Sequence, residues 1–534
     1  MSKPGTAKTV RAHSSTTQKH PAMNAVKQIK TANRKVLNLT QEDLKIFGHL
    51  FLIFFVSYAY EITNFNISID DEILAYQSAS KFVDLGRWLF PLIRESFWPQ
   101  VITPLGPYIL FGLCIALGYL YILRAFGIFR PALFHYSAFA AFILFPIWPA
   151  QLEFNANVIP LGVATLAIST SILLASRPID TSFSKGVWHI IAPAALISIA
   201  AGAYQSAVLI YPVIITGVFL QNRLKPTFSP ATKNTRHVIA ATSILLLGCI
   251  IYLAIAAIAM KIYGIPPSPY GSSFVNIKTL FSAPQNALSG MMQNLWNVYF
   301  AWWKPFGTAS YAIPTTILTG AAIALYAARD SRQKILWVLL GVTLILASPA
   351  AFCLLSGHEL PLRTLLGAPF ALLVLLLLFY HSTNSDTTRK AALAAALLIA
   401  LEGLYIQSIH QARSALAQKH DMLLASAINT DILRTPNLPK RGPITIDFSG
   451  AKKFESVYPA LPTTTAGASF FEWDGGNPYR MVKYMNLIGY HRYIAVDQET
   501  RARIAPHYST MPEWPLEGSI KVVDGVVLIK ISDQ

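Results

Sequence analysis

The chain has 534 residues, 53% of them hydrophobic and only 13% charged, with a mean hydropathy of +0.44 and a formal net charge of +17. That balance excludes a water-soluble globular domain and describes a polytopic membrane protein. The basic excess reads as membrane topology and lipid-surface attraction, so nucleic acid is not an expected partner.

In chain order, residues 1–43 are basic and rich in Ser and Thr, the composition of a disordered cytoplasmic tail rather than a secretory signal. A membrane domain is expected over 44–410. Apolar runs near the ~20 residues that cross the hydrocarbon recur with approximate cores at 46–62, 104–123, 133–149, 156–175, 187–203, 205–221, 237–260, 309–327, 335–354, 363–381 and 391–408, about eleven transmembrane helices in an all-α fold. With the N-terminus cytoplasmic, the inner segments carry 22 Lys and Arg and the outer ones 7. This is the asymmetry expected of short loops, and it places everything after the last span outside. The three cysteines, Cys114, Cys249 and Cys353, fall inside predicted spans, which implies no disulfide or thiolate metal site.

Two outer loops are long, 61–103 and 261–308. The first contains "ISIDDEILAY", residues 67–76, with three consecutive carboxylates at the membrane edge. From Ser68 onward Ile69, Ile73, Tyr76, Phe82, Leu85, Trp88 and Leu89 recur at mostly three- and four-residue spacing, which predicts an amphipathic helix lying on the outer surface. Ser68 and Asp71 match a helix-capping pattern and give Asp71 a structural reading. Asp70 has none, because adjacent residues project about 100° apart on a helix. A carboxylate at that depth suits deprotonation of a hydroxyl beside a lipid-borne phosphate. Cations for such a phosphate are Arg87, Arg94, Lys304 in "AWWKPFG" and Arg363 in "GHELPLR", each of which also reads as an interfacial snorkelling residue. Beside Arg363 stand His358 and Glu359. Trp88, Trp98, Trp148, Trp296, Trp302 and Trp303 read as an aromatic belt, with sugar stacking as the alternative. In "AGAYQSA" Tyr204 and Gln205 sit between two coupled spans, either capping the hairpin or lining a cavity that faces Asp70 and Asp71. No recognised metal-ligand spacing occurs, so no cofactor is predicted. Asp70, Asp71, Glu72 or the His358–Glu359 pair would be the only candidates for a divalent cation.

From about 421 to 534 the composition changes to that of a small α/β domain outside the membrane. "GPITIDFSG" and "SIKVVDGVVLIKI" alternate like strands, the latter around an Asp524–Gly525 hairpin turn. "PYRMVKYMNLIGY" has helical spacing. "DGGN" at Asp474–Asn477 is a glycine turn and not a phosphate loop.

The set Asn66, Asp70, Asp71, Gln77, Gly86, Arg87 and Trp88 in the first outer loop, the "AYQS" of Ala203 to Ser206, the late "PLRTLLGAPF" and the closing "FFEWDGGNPYRMVKYMNLIGY" resemble the phage-type serotype-converting O-antigen glucosyltransferases of bacteria. The resemblance runs from about residue 50 to 410. It implies a GT-C-like fold in the bacterial inner membrane, with the C-terminal domain periplasmic. The implied reaction moves a sugar, expected to be glucose, from a polyprenyl-phosphate carrier to a lipid-linked or cell-surface glycan, with the bilayer as the third partner. Carried over by motif, Asp70 or Asp71 is the catalytic carboxylate, Arg87 a phosphate or structural partner and Arg363 a further donor-binding cation; Lys304 joins the donor-binding cations by its charge and position on the outer face alone. Trp88, Tyr204, Gln205, His358 and Glu359 would line the substrate. Retention would need a second acid, Glu153 or Glu359, whereas inversion needs one base and is favoured. The competing functions are transfer of a sugar or aminosugar to protein or lipid A, and a flippase for lipid-linked glycans. A flippase predicts charges along a path across the bilayer, whereas here they gather at one face, with Glu402 an isolated exception.

Overall fold

The computed structural model describes residues 39–533 except 101, 178–182, 225–230, 269–276, 302, 308–310, 437 and 439–441. The predicted tail therefore lies outside the described residues up to position 38, as does Trp302. The chain divides at Lys45. Before that point Thr40 and Asp43 bond each other at the start of the helix Gln41–Ser57, with the Thr40 amide donating to Asp43 Oδ2 at 2.8 Å.

Residues from Ile46 onward are mostly helical. Among the described residues, six helices are long and apolar enough to cross a membrane: 106–125, 155–175, 205–224, 236–263, 332–350 and 386–434. Four shorter apolar helices, 133–143, 187–203, 312–327 and 368–381, accompany them. The predicted span 133–149 is broken. Its helix Leu133–Ile143 ends ahead of Pro146, whose ring and missing N–H cannot continue an α-helix, and a separate helix Ile147–Leu152 follows.

The interior is dense with aromatics. Trp148 is fully buried, with the rings of Phe111, Phe142 and Phe370 centred 5.6, 5.6 and 6.1 Å from its own. Trp303 is equally buried and donates to the Val298 carbonyl at 2.9 Å. These two belong to the core, not to an interfacial belt, because their indole N–H groups find backbone partners inside. The outside is apolar in its own way. Helix Ala231–Tyr263 exposes Leu246, Ile250, Leu253, Ile258 and Ile262, a surface that water would penalise and hydrocarbon accepts.

The helix Asp386–Arg434 has 49 residues and so runs about 73 Å at 1.5 Å per residue, far beyond the ~30 Å of hydrocarbon. Its far end carries Leu424, Ala425, Ile428 and Ile432 into the core of the C-terminal region beside Phe448, Phe471 and Tyr484. Asp421 on the same helix accepts from Ser469 Oγ at 2.5 Å and from the Phe470 amide at 2.7 Å, which fastens the following chain to this shaft. The C-terminal sheet has four strands: β1 Ile444–Ser449, β2 Tyr493–Ala495, β3 Ile520–Val523 and β4 Val526–Lys530, in the order β2-β1-β4-β3. β3 and β4 form the expected antiparallel hairpin, and left-handed Asp524 and Gly525 make its turn. β1 pairs in parallel with both neighbours, and the short β2 follows the predicted helix, which spans Pro478–Leu487.

Gly403 lets the long helix approach the backbone of Leu144 so closely that any Cβ there would collide with the Leu144 carbonyl. Gly403→Val is expected to cost about 1–3 kcal/mol through overpacking. Gly48→Ala, where an added Cβ meets nothing within 4 Å, should change little. Thermal unfolding of the detergent-solubilised protein compares the two.

Candidate active site

The 61–103 loop is not one amphipathic helix. It folds as a four-residue helix Asp71–Leu74, a 3-10 helix Ala79–Leu85 and a helix Leu89–Leu92. Left-handed residues interrupt it: Asp70 at φ 86° before the first piece and Gly86 at φ 78° after the second. Long-range anchors outweigh the helical periodicity here. Ile69, 1% exposed, is drawn into the C-terminal core. Ser68 Oγ donates to the Glu153 carbonyl at 2.6 Å, and Asn155 Nδ2 donates to the Asn66 carbonyl at 2.9 Å.

Asp70 and Asp71 thereby acquire different surroundings. Asp71 is fully buried, and its Oδ2 accepts from the Ser68 amide at 3.0 Å, from Ser68 Oγ at 3.2 Å and from Asn155 Nδ2 at 2.7 Å. The Ser68–Asp71 bond read from the capping pattern is present, but it closes the turn ahead of the helix, which begins at Asp71 with Asp70 in the N-cap position. Asp70, with its side chain 40% exposed, lines a cavity of about 1030 Å³ together with Arg87, Arg363, Tyr204 and Gln205. A non-glycine residue in the left-handed region costs of order 1–3 kcal/mol and persists only where its surroundings enforce it.

The enforcement comes from Arg480, on the helix Pro478–Leu487 of the C-terminal region. Its Nη2 donates to Asp70 at 2.9 Å, Nη1 to Glu72 at 2.5 Å and Nε to Asp474 at 2.9 Å. The "DGGN" turn prepares this contact. Asp474, Gly475 and Gly476 are all left-handed, and Asn477 caps the next helix by accepting from the Tyr479 and Arg480 amides. Gly476 packs so tightly on the Gly450 carbonyl that no side chain fits.

On the cation side, Arg87 lies over the Tyr204 ring, 4.6 Å from its centroid, and donates to Gln205 Oε1 and Asn157 Oδ1, both at 3.3 Å. Gln205 in turn donates to the Leu85 carbonyl. Arg363 lies over Phe154 at 5.2 Å, and Gln151 joins the two halves by donating to Tyr204 Oη at 3.0 Å and to the Arg363 carbonyl. The flank of the cavity is apolar, with Leu74, Phe82, Leu85, Leu253, Phe352 and Leu355. A carboxylate, two guanidiniums and a greasy flank share one chamber.

Other residues singled out in the sequence lie elsewhere. Lys304 is exposed on the turn Lys304–Phe306 and does not line this cavity. His358 and Glu359 are exposed beside helix Pro284–Trp296, where Gly290 abuts the His358 backbone. Trp88 packs on Gly202 behind the Arg87 wall and is not part of the lining. Of the two candidate second acids, Glu153 is half-buried and close enough to Asp70 and Asp71 to feel their charges, whereas Glu359 is exposed. Sequence reasoning missed Arg480, Asn157, Thr463–Thr465 and Trp473. Arg480 and Glu72 are 408 positions apart, and no local pattern signals their pairing.

The carboxyls next to Asp70 are poorly ionised. Burial pushes Asp71 up to about 7, against the bonds from Asn155 and Ser68 and reinforced by the charge of Glu72. Burial also pushes Glu72 up to about 7 in spite of Arg480, and pushes Glu153 well above the carboxylate range, with Asp71 adding to the rise and Arg363 opposing it.

A model of the glucosyl transferase GtrII family matches residues 59–381, more than half of the chain. The chain belongs to that family. No curated protein and no solved structure matches it. The protein is therefore a multi-pass membrane glycosyltransferase, and its family implies glucosylation of O-antigen. The matched region holds Asp70, Arg87, Tyr204, Gln205 and Arg363, whereas Arg480 falls outside it.

An exposed aspartate ionises near pH 4, so between about pH 4 and 7 the folded protein keeps a proton on Asp71 that the unfolded chain has released. Stability contributed by this group therefore falls as pH rises across that window. Asp71→Asn retains an amide oxygen for Ser68 and does not titrate. Its melting temperature relative to wild type is expected to climb from pH 4.5 to 8 in thermal unfolding. Arg480→Met leaves buried Glu72 without its cation and should destabilise the protein by about 3–5 kcal/mol, read in the same assay at pH 8.

Proposed function

We propose that the protein transfers glucose from a polyprenyl-phosphate carrier to a lipid-linked or cell-surface O-antigen-like glycan, on the periplasmic face of the bacterial inner membrane. The observation that carries the reading is the division of the two aspartates. Asp71 is committed to Ser68 and Asn155, while Asp70 shares a cavity with Arg87 and Arg363.

Chemically, Asp70 takes the proton of an acceptor hydroxyl as its oxygen bonds the anomeric carbon of the donor sugar. The bond from that carbon to the phosphate oxygen breaks with inversion. The polyprenyl phosphate leaves with its extra charge facing Arg87 and Arg363, whose planar donors suit phosphate. The apolar flank formed by Phe82, Leu253 and Phe352 suits the first isoprene units of the carrier. Arg87 is pre-oriented by Tyr204, Gln205 and Asn157 and needs little reorganisation to receive the phosphate. The donor and the side of the membrane are supported by the charge asymmetry of the loops. That asymmetry favours an outward-facing Asp70 end, on the side of the membrane away from the cytosolic nucleotide sugars, where a lipid-carried sugar is needed.

The test uses purified protein in proteoliposomes, polyprenyl-phosphate glucose and O-antigen acceptor. Asp70→Asn is expected to lower kcat by at least ~100-fold, the usual scale of a lost general base, with Asp71→Asn staying within about tenfold of wild type. Full activity in both variants would remove the carboxylate from the mechanism, and the opposite ranking would assign the base to Asp71.

A further inference from the structure

The wall of the cavity is not all of one origin. Asp70, Arg87, Tyr204, Gln205 and Arg363 lie within the family-matched 59–381, but Thr463, Thr464, Thr465 and Trp473 come from the C-terminal region beyond it. We infer that these C-terminal residues form the subsite for the acceptor glycan, with Thr465 as a hydrogen-bonding hydroxyl and Trp473 as an apolar platform for a sugar ring. This deepens the proposed function and rests on it for the identity of the donor.

Three observations point the same way. First, the proposed base Asp70 and the cations Arg87 and Arg363 occupy one part of the wall, and the part formed by Thr463–Thr465 and Trp473 carries no charge, which leaves it the task of holding an uncharged acceptor. Second, Thr465 is 6% exposed, yet its Oγ1 has no hydrogen-bond partner among the described residues while the residue lines the cavity. A buried hydroxyl without a partner is costly, and a ligand hydroxyl would satisfy it. Trp473, half-buried and lining the same cavity, is the kind of flat apolar side chain that the C–H side of a hexose prefers. Third, the segment is held in place on both sides. Thr463, left-handed at φ 53°, accepts from the Leu362 amide at 2.9 Å, next to Arg363, and Arg480 ties the region to Asp70. The acceptor platform is thus registered to the donor cations and to the base through direct bonds.

A saccharide acceptor fits this chemistry better than a peptide or lipid A headgroup, since this part of the wall offers the unpartnered hydroxyl of Thr465 and the aromatic side chain of Trp473 and no charge. The experiment uses the full-length protein and O-antigen polysaccharide extracted from the cell that encodes it. Acceptor binding is titrated without donor, and transfer from polyprenyl-phosphate glucose is measured separately, for wild type, Thr465→Val and Trp473→Ala. The expected result is an acceptor KM and Kd raised about three- to tenfold by Thr465→Val and about tenfold or more by Trp473→Ala. Donor KM and kcat should stay within about twofold. Thr465→Val is nearly isosteric, so it keeps the test alive if Trp473→Ala unfolds. Acceptor affinity unchanged in the folded variants, a shift in donor KM instead, or no binding of the polysaccharide to wild type overturns the inference. Binding that the variants weaken, without any transfer by wild type, upholds the subsite and defeats the donor assignment.

Discussion

One guanidinium holds the site together. Arg480, with its side chain only 14% exposed, spends its donors on Asp70, Glu72 and Asp474, three carboxylates from two distant parts of the chain. Removing an arginine and its carboxylates from water is expensive, and such a cluster forms only where the geometry returns charge-assisted bonds to each partner. Here the return is positional. Asp70 and Glu72 flank Asp71, so gripping both pins the turn on either side of the residue that is buried. The left-handed backbone at Asp70 is the visible strain of that grip.

The remaining carboxyls follow from the same constraint. With Ser68 bound to Glu153, Ile69 drawn into the C-terminal core, Asp71 bound to Asn155 and Asp70 and Glu72 held by Arg480, all five residues are anchored, and of the five only Asp70 lines the cavity. Burial then separates the roles electrostatically. Asp71, Glu72 and Glu153 are pushed toward their neutral forms, which spares the chamber an accumulation of negative charge that would repel a phosphate-bearing donor. Two cations face the same space, and both rest on aromatic rings, Arg87 on Tyr204 and Arg363 on Phe154. Stacking on an aromatic face helps to hold each guanidinium in its orientation.

The membrane part and the C-terminal region are built as one object around the long helix Asp386–Arg434. A helix of that length, packed at one end beside Leu144 and at the other on the sheet core, transmits the position of the bundle to the sheet without a flexible linker. Asp421 fastens the 469–470 turn to that shaft, the turn leads into "DGGN", and "DGGN" presents Arg480. A site assembled from elements more than 400 positions apart thus depends on ordinary local devices: a cap, a glycine turn and a buried aspartate.

Local patterns carried much of this protein in its sequence. Apolar runs marked the membrane helices because crossing hydrocarbon demands length and composition that nothing else does. The Asp524–Gly525 hairpin and the helix Pro478–Leu487 were legible from turn chemistry and spacing. The Ser68–Asp71 bond and the group of Asp70, Arg87, Tyr204, Gln205 and Arg363 could be picked out by residue type and family pattern. Tertiary structure alone decided what those residues face. It broke the amphipathic helix predicted after Ser68 because anchors at Ile69 and Asn155 outweigh local periodicity. It left Lys304, His358 and Glu359 away from the cavity, though their charges looked equally apt. It also brought Arg480, Thr465 and Trp473 to the site. Such pairings are settled by packing across hundreds of residues, and the short periods of a helix or strand carry no record of them.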